Sequence, residues 1–226
     1  MMRTAFACAA AVAALLTAGA ANAQDTPEIA WNVGVTSDYV FRGFSQTNED
    51  PTVFGGVDLT IGAFYAGAWA SGVDFGDSTD AEFDLYGGYR SEISGFAVDV
   101  GVVGYFYTSA PNGADYDYAE LKLAGSRAIG PVTLGAAVYW SPDFFGADEE
   151  ATYVEANAAF TPAPKWTVSG AIGHQSLDVN ADYATWNAGV AYAVTDHVVI
   201  DVRYHDADVS GPLSDDRAVA ALKFLF

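Results

Sequence analysis

The residues best equipped for chemistry fall into three groups: histidines, acidic clusters, and opposite charges at close spacing. His205 stands beside Asp206, with Ser210 and Ser214 a few positions on, while His174 and His197 lie apart. A serine hydrolase would need a base and an orienting partner in reach of its nucleophile. No motif marks either serine, so no catalytic residue is assigned and no enzyme is expected. The acidic clusters are Asp143, Asp148, Glu149 and Glu150, then Asp206, Asp208, Asp215 and Asp216. A calcium loop needs a fixed ligand rhythm with a turn glycine. Asp206-Ala207-Asp208 only begins one and Pro212 interrupts it. These clusters read as solvated loops, with no metal site and no cofactor.

The third group is the most informative. Glu120 and Lys122 are two apart, as are Asp201 and Arg203. That spacing puts both members on one face of a strand. Arg90 and Asp99 would meet diagonally across a short hairpin. The same face would carry Asp38, Arg42, Asp58, Glu82, Asp84, Glu155 and Lys223. Lining a pore, such charges set its field and select ions by sign. Packed together, they would instead form a polar network that stiffens a barrel. Acids outnumber bases in the set, so the expected preference is for cations.

Strands must carry these positions, and the chain supplies them. Segments of about ten residues alternate apolar and polar. They run Ala30–Phe41, Val53–Ile61, Phe64–Phe75, Ala81–Arg90, Phe96–Tyr107, Tyr116–Arg127, Val132–Trp140, Thr152–Phe160, Trp166–His174, Thr185–Val194, Val198–His205 and Arg217–Phe226. The apolar stripe is expected to hold Trp31, Val33, Val35, Tyr39 and Phe41 in the first segment. In the third it is expected to hold Tyr65, Trp69, Val73 and Phe75. Links alternate short and long, from Gly62-Ala63 to the acidic Ser141–Ala151. Tight turns at one rim and long loops at the other belong to transmembrane barrels. The expected fold is all-β: a twelve-stranded antiparallel meander barrel with short periplasmic turns and long acidic extracellular loops.

Whether the apolar face meets lipid or a core is decided by the aromatics. Trp31, Tyr39, Phe41, Phe75, Phe83, Tyr89, Phe96, Phe106, Trp140, Phe160, Trp166, Trp186 and Tyr204 cluster near segment ends. Interface girdles sit there. A soluble barrel would have less reason to keep them from segment middles. The last segment puts Ala218, Ala220, Leu222, Phe224 and the terminal Phe226 on one side. That ending reads as the closing strand and as a signal for the outer-membrane assembly machinery.

The N-terminus points to the same compartment. Arg3 precedes an apolar, acid-free run ending Ala21-Asn22-Ala23, the form of a cleaved secretory signal. Residues 1–23 are therefore expected to be a signal peptide and 24–226 one barrel domain. Cys8 lies too early for a lipoprotein site and would leave with the signal. All 29 acids follow residue 23 while one of 9 bases precedes it, leaving 8 against 29 and a charge of −21. That excludes nucleic acid as a natural partner, since phosphate contacts need Lys and Arg. With 51% hydrophobic and 14% aromatic residues the chain is not disordered either. After the signal no apolar run is long enough for a membrane helix. A membrane crossing must therefore use a closed barrel of strands.

The stretch Ser37-Asp38-Tyr39-Val40-Phe41-Arg42-Gly43-Phe44-Ser45-Gln46-Thr47 resembles the early motif of the TorF-type porin family of proteobacteria. That resemblance implies an outer-membrane location and a pore, and supplies no substrate or catalytic residue. In it, Asp38 and Arg42 share the lumen-side parity near the outer rim, as a charged constriction or as an anchor for the first loop. The leading expectation is a porin-like channel for small solutes, bathed by lipid and lipopolysaccharide. A second is a closed structural or surface-interaction barrel whose acidic loops bind divalent cations. A third is a membrane-embedded hydrolase using His205.

Overall fold

The computed structural model describes residues 26–178 and 180–226. The expected signal segment lies outside them. Along the chain run β1 (Glu28–Thr36), β2 (Val40–Phe41), β3 (Phe44–Ser45), β4 (Thr52–Ile61), β5 (Phe64–Gly72), β6 (Ala81–Ile93) and β7 (Phe96–Thr108). Then follow β8 (Tyr118–Ile129), β9 (Val132–Ser141), β10 (Ala151–Ala163), β11 (Trp166–Leu177), β12 (Tyr183–Thr195), β13 (Val198–Ala207) and β14 (Arg217–Leu225). Among the described residues no helix is long and apolar enough to cross a membrane.

Twelve of these strands form one closed antiparallel barrel, each pairing with its barrel neighbour in sequence. β1 closes the ring by pairing with both β4 and β14. The seam ends where Trp31 N–H donates to Phe226 O at 3.1 Å and Phe226 N–H donates to Trp31 O at 2.9 Å. Their rings stack at 3.9 Å. Closure leaves no strand edge unpaired, which is what a sheet in lipid requires. The short strands β2 and β3 form a separate two-stranded hairpin within the first long loop.

The two faces are inverted relative to a soluble barrel. Outward side chains are large and apolar: Leu85, Val100, Leu121, Leu123, Ile172 and Val202 are all exposed. Inward side chains are polar and covered, with Asp99 and Gln175 at 0% exposure and Glu120 at 1%. Phe83, Tyr89, Phe96, Phe160, Trp166, Trp186 and Tyr204 also face outward. The pattern is that of a lipid-facing surface around a polar lumen.

Two expectations about faces fail. The first strand stops at Thr36, so Tyr39 and Phe41 do not continue the outward stripe of Trp31, Val33 and Val35. Tyr39 is buried inside the barrel. The chain leaves the sheet where Asp38 turns to Ser45 and Thr47 of the loop and to Arg217 of β14, as described below. In β5 the parity is reversed: Tyr65 and Trp69 point inward, while Phe64, Ala66 and Ala68 point out. The strand ends at Gly72, so Val73 and Phe75 lie beyond it, and Phe75 packs on Tyr107. Size explains the reversal. Lipid tolerates a stripe of alanines, whereas the lumen at this height needs bulk to fill it.

Candidate functional site

The first long loop, residues 37–51, folds into the barrel rather than away from it. Its tip is the turn Arg42-Gly43 between β2 and β3, with φ of 45° and 87°. Two central residues with positive φ make the mirror-image turn that suits a tight hairpin. Gly43 is required twice over. Its φ is left-handed, and an added Cβ would lie 2.9 Å from the Ala207 methyl.

Asp38 holds the base of this hairpin. It accepts hydrogen bonds from Ser45 Oγ at 2.7 Å, Thr47 Oγ1 at 2.8 Å and Arg217 Nη1 at 3.0 Å. Ser45 N–H donates to Leu213 O at 2.7 Å, tying the hairpin to the last outer loop. Phe44 meets Tyr183 edge-on at 5.1 Å. Tyr39 donates to Glu82 Oε1 at 2.7 Å and packs on Trp69.

The tip reaches the far wall. In the closed ring β9 is the sixth strand from β1 in either direction, so β8 to β11 face the strand that delivers the loop. Arg42 Nη1 donates to Glu120 Oε1 at 2.8 Å and Nη2 donates to Glu120 Oε2 at 2.7 Å. Nη1 also donates to Gln175 Oε1 at 2.9 Å. The guanidinium lies 4.4 Å from the Tyr153 ring centre and 5.2 Å from that of Tyr139. Glu120, Tyr139, Tyr153 and Gln175 come from β8, β9, β10 and β11 respectively. Gly173 lets Tyr153 lie in place, because a Cβ there would collide with its ring. The result is a bidentate, charge-assisted pair capped by aromatic faces, which spans the lumen.

The remaining inward charges form wall networks. Asp99 accepts from Tyr65 Oη at 2.7 Å, Lys122 Nζ at 2.9 Å and Arg90 Nε at 3.2 Å. Arg203 donates to Asn187 at 2.7 Å, Ser169 at 2.8 Å and Asp201 at 3.3 Å. Asp58 accepts from Tyr86 Oη at 2.7 Å. Glu155 accepts from Asn157 Nδ2 at 3.1 Å. Lys223 Nζ lies 5.4 Å from the Phe54 ring centre. Asp84 Oδ1 is buried with no hydrogen-bond partner.

Several pairings differ from those the spacing suggests. Asp38 and Arg42 sit on the loop, not on the first strand, and they bond to different partners. Lys122 turns to Asp99 and leaves Glu120 to Arg42. Arg90 and Asp99 stand directly opposite in register, not diagonally. Gln175, Tyr139, Tyr153 and Arg217 carry no signal that sets them apart in the sequence. Each depends on where a distant loop lands. The spacing of Asp38 to Ser45 and Thr47 could have suggested a self-bonded loop.

The histidines are scattered. His174 is outward and 3.5 Å from Asp182, and the His197 ring lies 2.9 Å from Leu225 O. His205 lines a cavity of about 50 Å³ with Asp201, Arg203, Asp38, Tyr39 and Trp69. Ser214 donates its hydroxyl to Val209 O at 2.8 Å. Several acidic loop residues accept hydrogen bonds from backbone N–H groups, Asp143 from Asp148 in its own loop at 2.7 Å and Asp208 from Ala184 of β12 at 2.6 Å. Among the described residues no three acidic, histidine or cysteine side chains gather as metal ligands.

A family model described as a bacterial protein of unknown function, Gcw_chp, matches residues 20–223. The match bears that name and not the TorF name that the early motif suggests. Among curated proteins none matches. Solved structures share the fold at low identity. The KdgM porin superposes with a TM-score of 0.60 at 8% identity, over 89% of this chain and 98% of its own. The NanC porin gives 0.57 at 9%, over 88% and 98%. An outer membrane channel from Pseudomonas putida F1 gives 0.54 at 10%, over 93% and 98%.

Proposed function

Since the chain belongs to the Gcw_chp family of bacterial proteins, whose function is unknown, its role has to be read from the barrel, and we propose that it is an outer-membrane channel for small cationic solutes. The observation that carries this reading is the inverted barrel whose lumen is narrowed by one inserted loop. Apolar side chains face outward all round the ring, and charged ones face a lumen that Arg42 crosses. The porin folds of its structural neighbours support the same class of function, and so does the likeness to the TorF-type family.

Cation preference rests on which lumen charges lack an opposite partner. Arg42 and Arg203 each pair with a carboxylate, and Arg90 and Lys122 share Asp99. Glu82, Asp58 and Glu155 instead accept hydrogen bonds from neutral groups. Of these, Glu82 is almost wholly covered and Asp58 and Glu155 only partly, so the latter two carry the charge that favours cations. Lipid and lipopolysaccharide are the partners of the outward face and the acidic loops. The terminal Phe226 is the residue read by the assembly machinery.

A second reading, a closed structural barrel, is favoured by one observation. The cavity beside the loop has about 50 Å³, room for on the order of three to five waters. Single-channel recording separates the two. Purified protein in a planar bilayer should give steady conductance steps, small for the wild type and larger for Arg42→Ala. A silent wild type with a silent Arg42→Ala would leave only the closed barrel.

A further inference from the structure

The far wall that receives Arg42 has the composition of a receptor, and it stands without the loop. Glu120 is held by the Tyr105 hydroxyl, which donates to Oε2 at 3.1 Å. Tyr153 Oη lies 2.9 Å from Thr185 Oγ1 and its ring rests over Gly173. Glu120 and Gln175 are both almost wholly covered. Four adjacent strands thus present a carboxylate fork, an amide oxygen and two ring faces converging on one planar cation. We infer that this pocket, formed by Glu120, Gln175, Tyr139 and Tyr153, is a binding site for the guanidinium group of a cationic solute, and that Arg42 is its tethered occupant. The inference rests on the channel reading only in that a solute must reach the lumen.

Three features favour a displaceable occupant over a plain structural pair. The hairpin is anchored elsewhere, through Asp38, Ser45 and Phe44, so vacating the pocket does not release the loop. Arg42 also sits at φ 45°, a region costly for a residue with a side chain. Finally, the site is specific in kind. A fork matched to two parallel N–H groups and flanked by rings discriminates a guanidinium from a point-charge ammonium. A solute guanidinium would take over the three donors Arg42 now supplies, while its alkyl chain points back into the lumen.

The test is calorimetric titration of the detergent-solubilised barrel with methylguanidinium. Arg42→Gly empties the pocket and relieves the positive φ, and should bind one methylguanidinium saturably. Wild type, with its pocket filled, should bind at least tenfold more weakly. So should the double variant carrying Glu120→Gln, and methylammonium should be at least tenfold weaker on Arg42→Gly. Arg42→Asn, also at ease at positive φ, replaces Arg42→Gly if that variant fails to fold. Absence of saturable binding in the folded variant, equal binding by wild type, or binding undiminished by Glu120→Gln would each overturn the site. Bilayer conductance is read separately. Binding without conductance overturns the channel reading and keeps the site, and conductance without binding does the reverse.

Discussion

At the scale of single residues, Asp99 and Glu120 do similar work in different settings. Asp99 is a wall carboxylate fed by two strand cations and a tyrosine. Arg90 is 45% exposed and Lys122 only 9%, so Lys122 is the partner whose loss of Asp99 matters. Removing one member of a covered pair strands the other charge, at a cost of about 3 kcal/mol. Asp99→Asn should therefore lower stability in urea unfolding from detergent by about that amount. Adding Lys122→Met should return part of the loss, because the stranded charge goes with it. Additive losses would show that the two residues act independently. Glu120 differs in that its cation arrives on a loop. Glu120→Gln should cost less stability than Asp99→Asn while raising single-channel conductance, since Arg42 would lose its fork and swing free.

At the scale of elements, the first loop is the part that alternation hides. Trp31, Val33 and Val35 set a parity that Tyr39 and Phe41 share, so periodicity alone extends the strand across Ser37. The barrel strands were otherwise legible, because each outward stripe has to meet lipid and each turn at one rim has to be short. β5 was legible in its start at Phe64 but neither in its end nor in its face. The rule that large apolar residues point outward fails where Tyr65 and Trp69 fill space beside the loop. The inward charges could be read one by one, but their partners could not. Pairing across the lumen depends on a register and a loop fold that no local pattern encodes. Replacing residues 40–45 by two glycines should remove the crossing and keep the closed barrel. Conductance should then rise several-fold, with heat resistance in detergent falling only modestly. An unchanged conductance would place the constriction elsewhere.

At the scale of the whole molecule, closure and charge distribution decide behaviour. The seam between β1 and β14 ends on the Trp31–Phe226 stack and its two backbone hydrogen bonds. An aromatic pair contributes about 0.5–1.5 kcal/mol beyond its buried area. Phe226→Ala should thus lower the thermal midpoint and slow assembly into membranes, while the folded barrel that does form conducts as before. The field of the lumen is a sum over many side chains, and its sign follows from the unpaired acids. Asp58 and Glu155 carry that sum, since both are only partly covered. Under a salt gradient the reversal potential should have the sign of cation permeation. Lumen charges act over a Debye length of about 10 Å at 0.1 M salt and about 3 Å at 1 M, so the preference should fade as salt rises. Asp58→Asn with Glu155→Gln should weaken it further at low salt, and Phe226→Ala should leave it unchanged. A reversal potential of anionic sign at low salt would mean that Arg42, Lys122 and Arg203 are not neutralised by Glu120, Asp99 and Asp201. The lumen would then have to be rearranged in the conducting state.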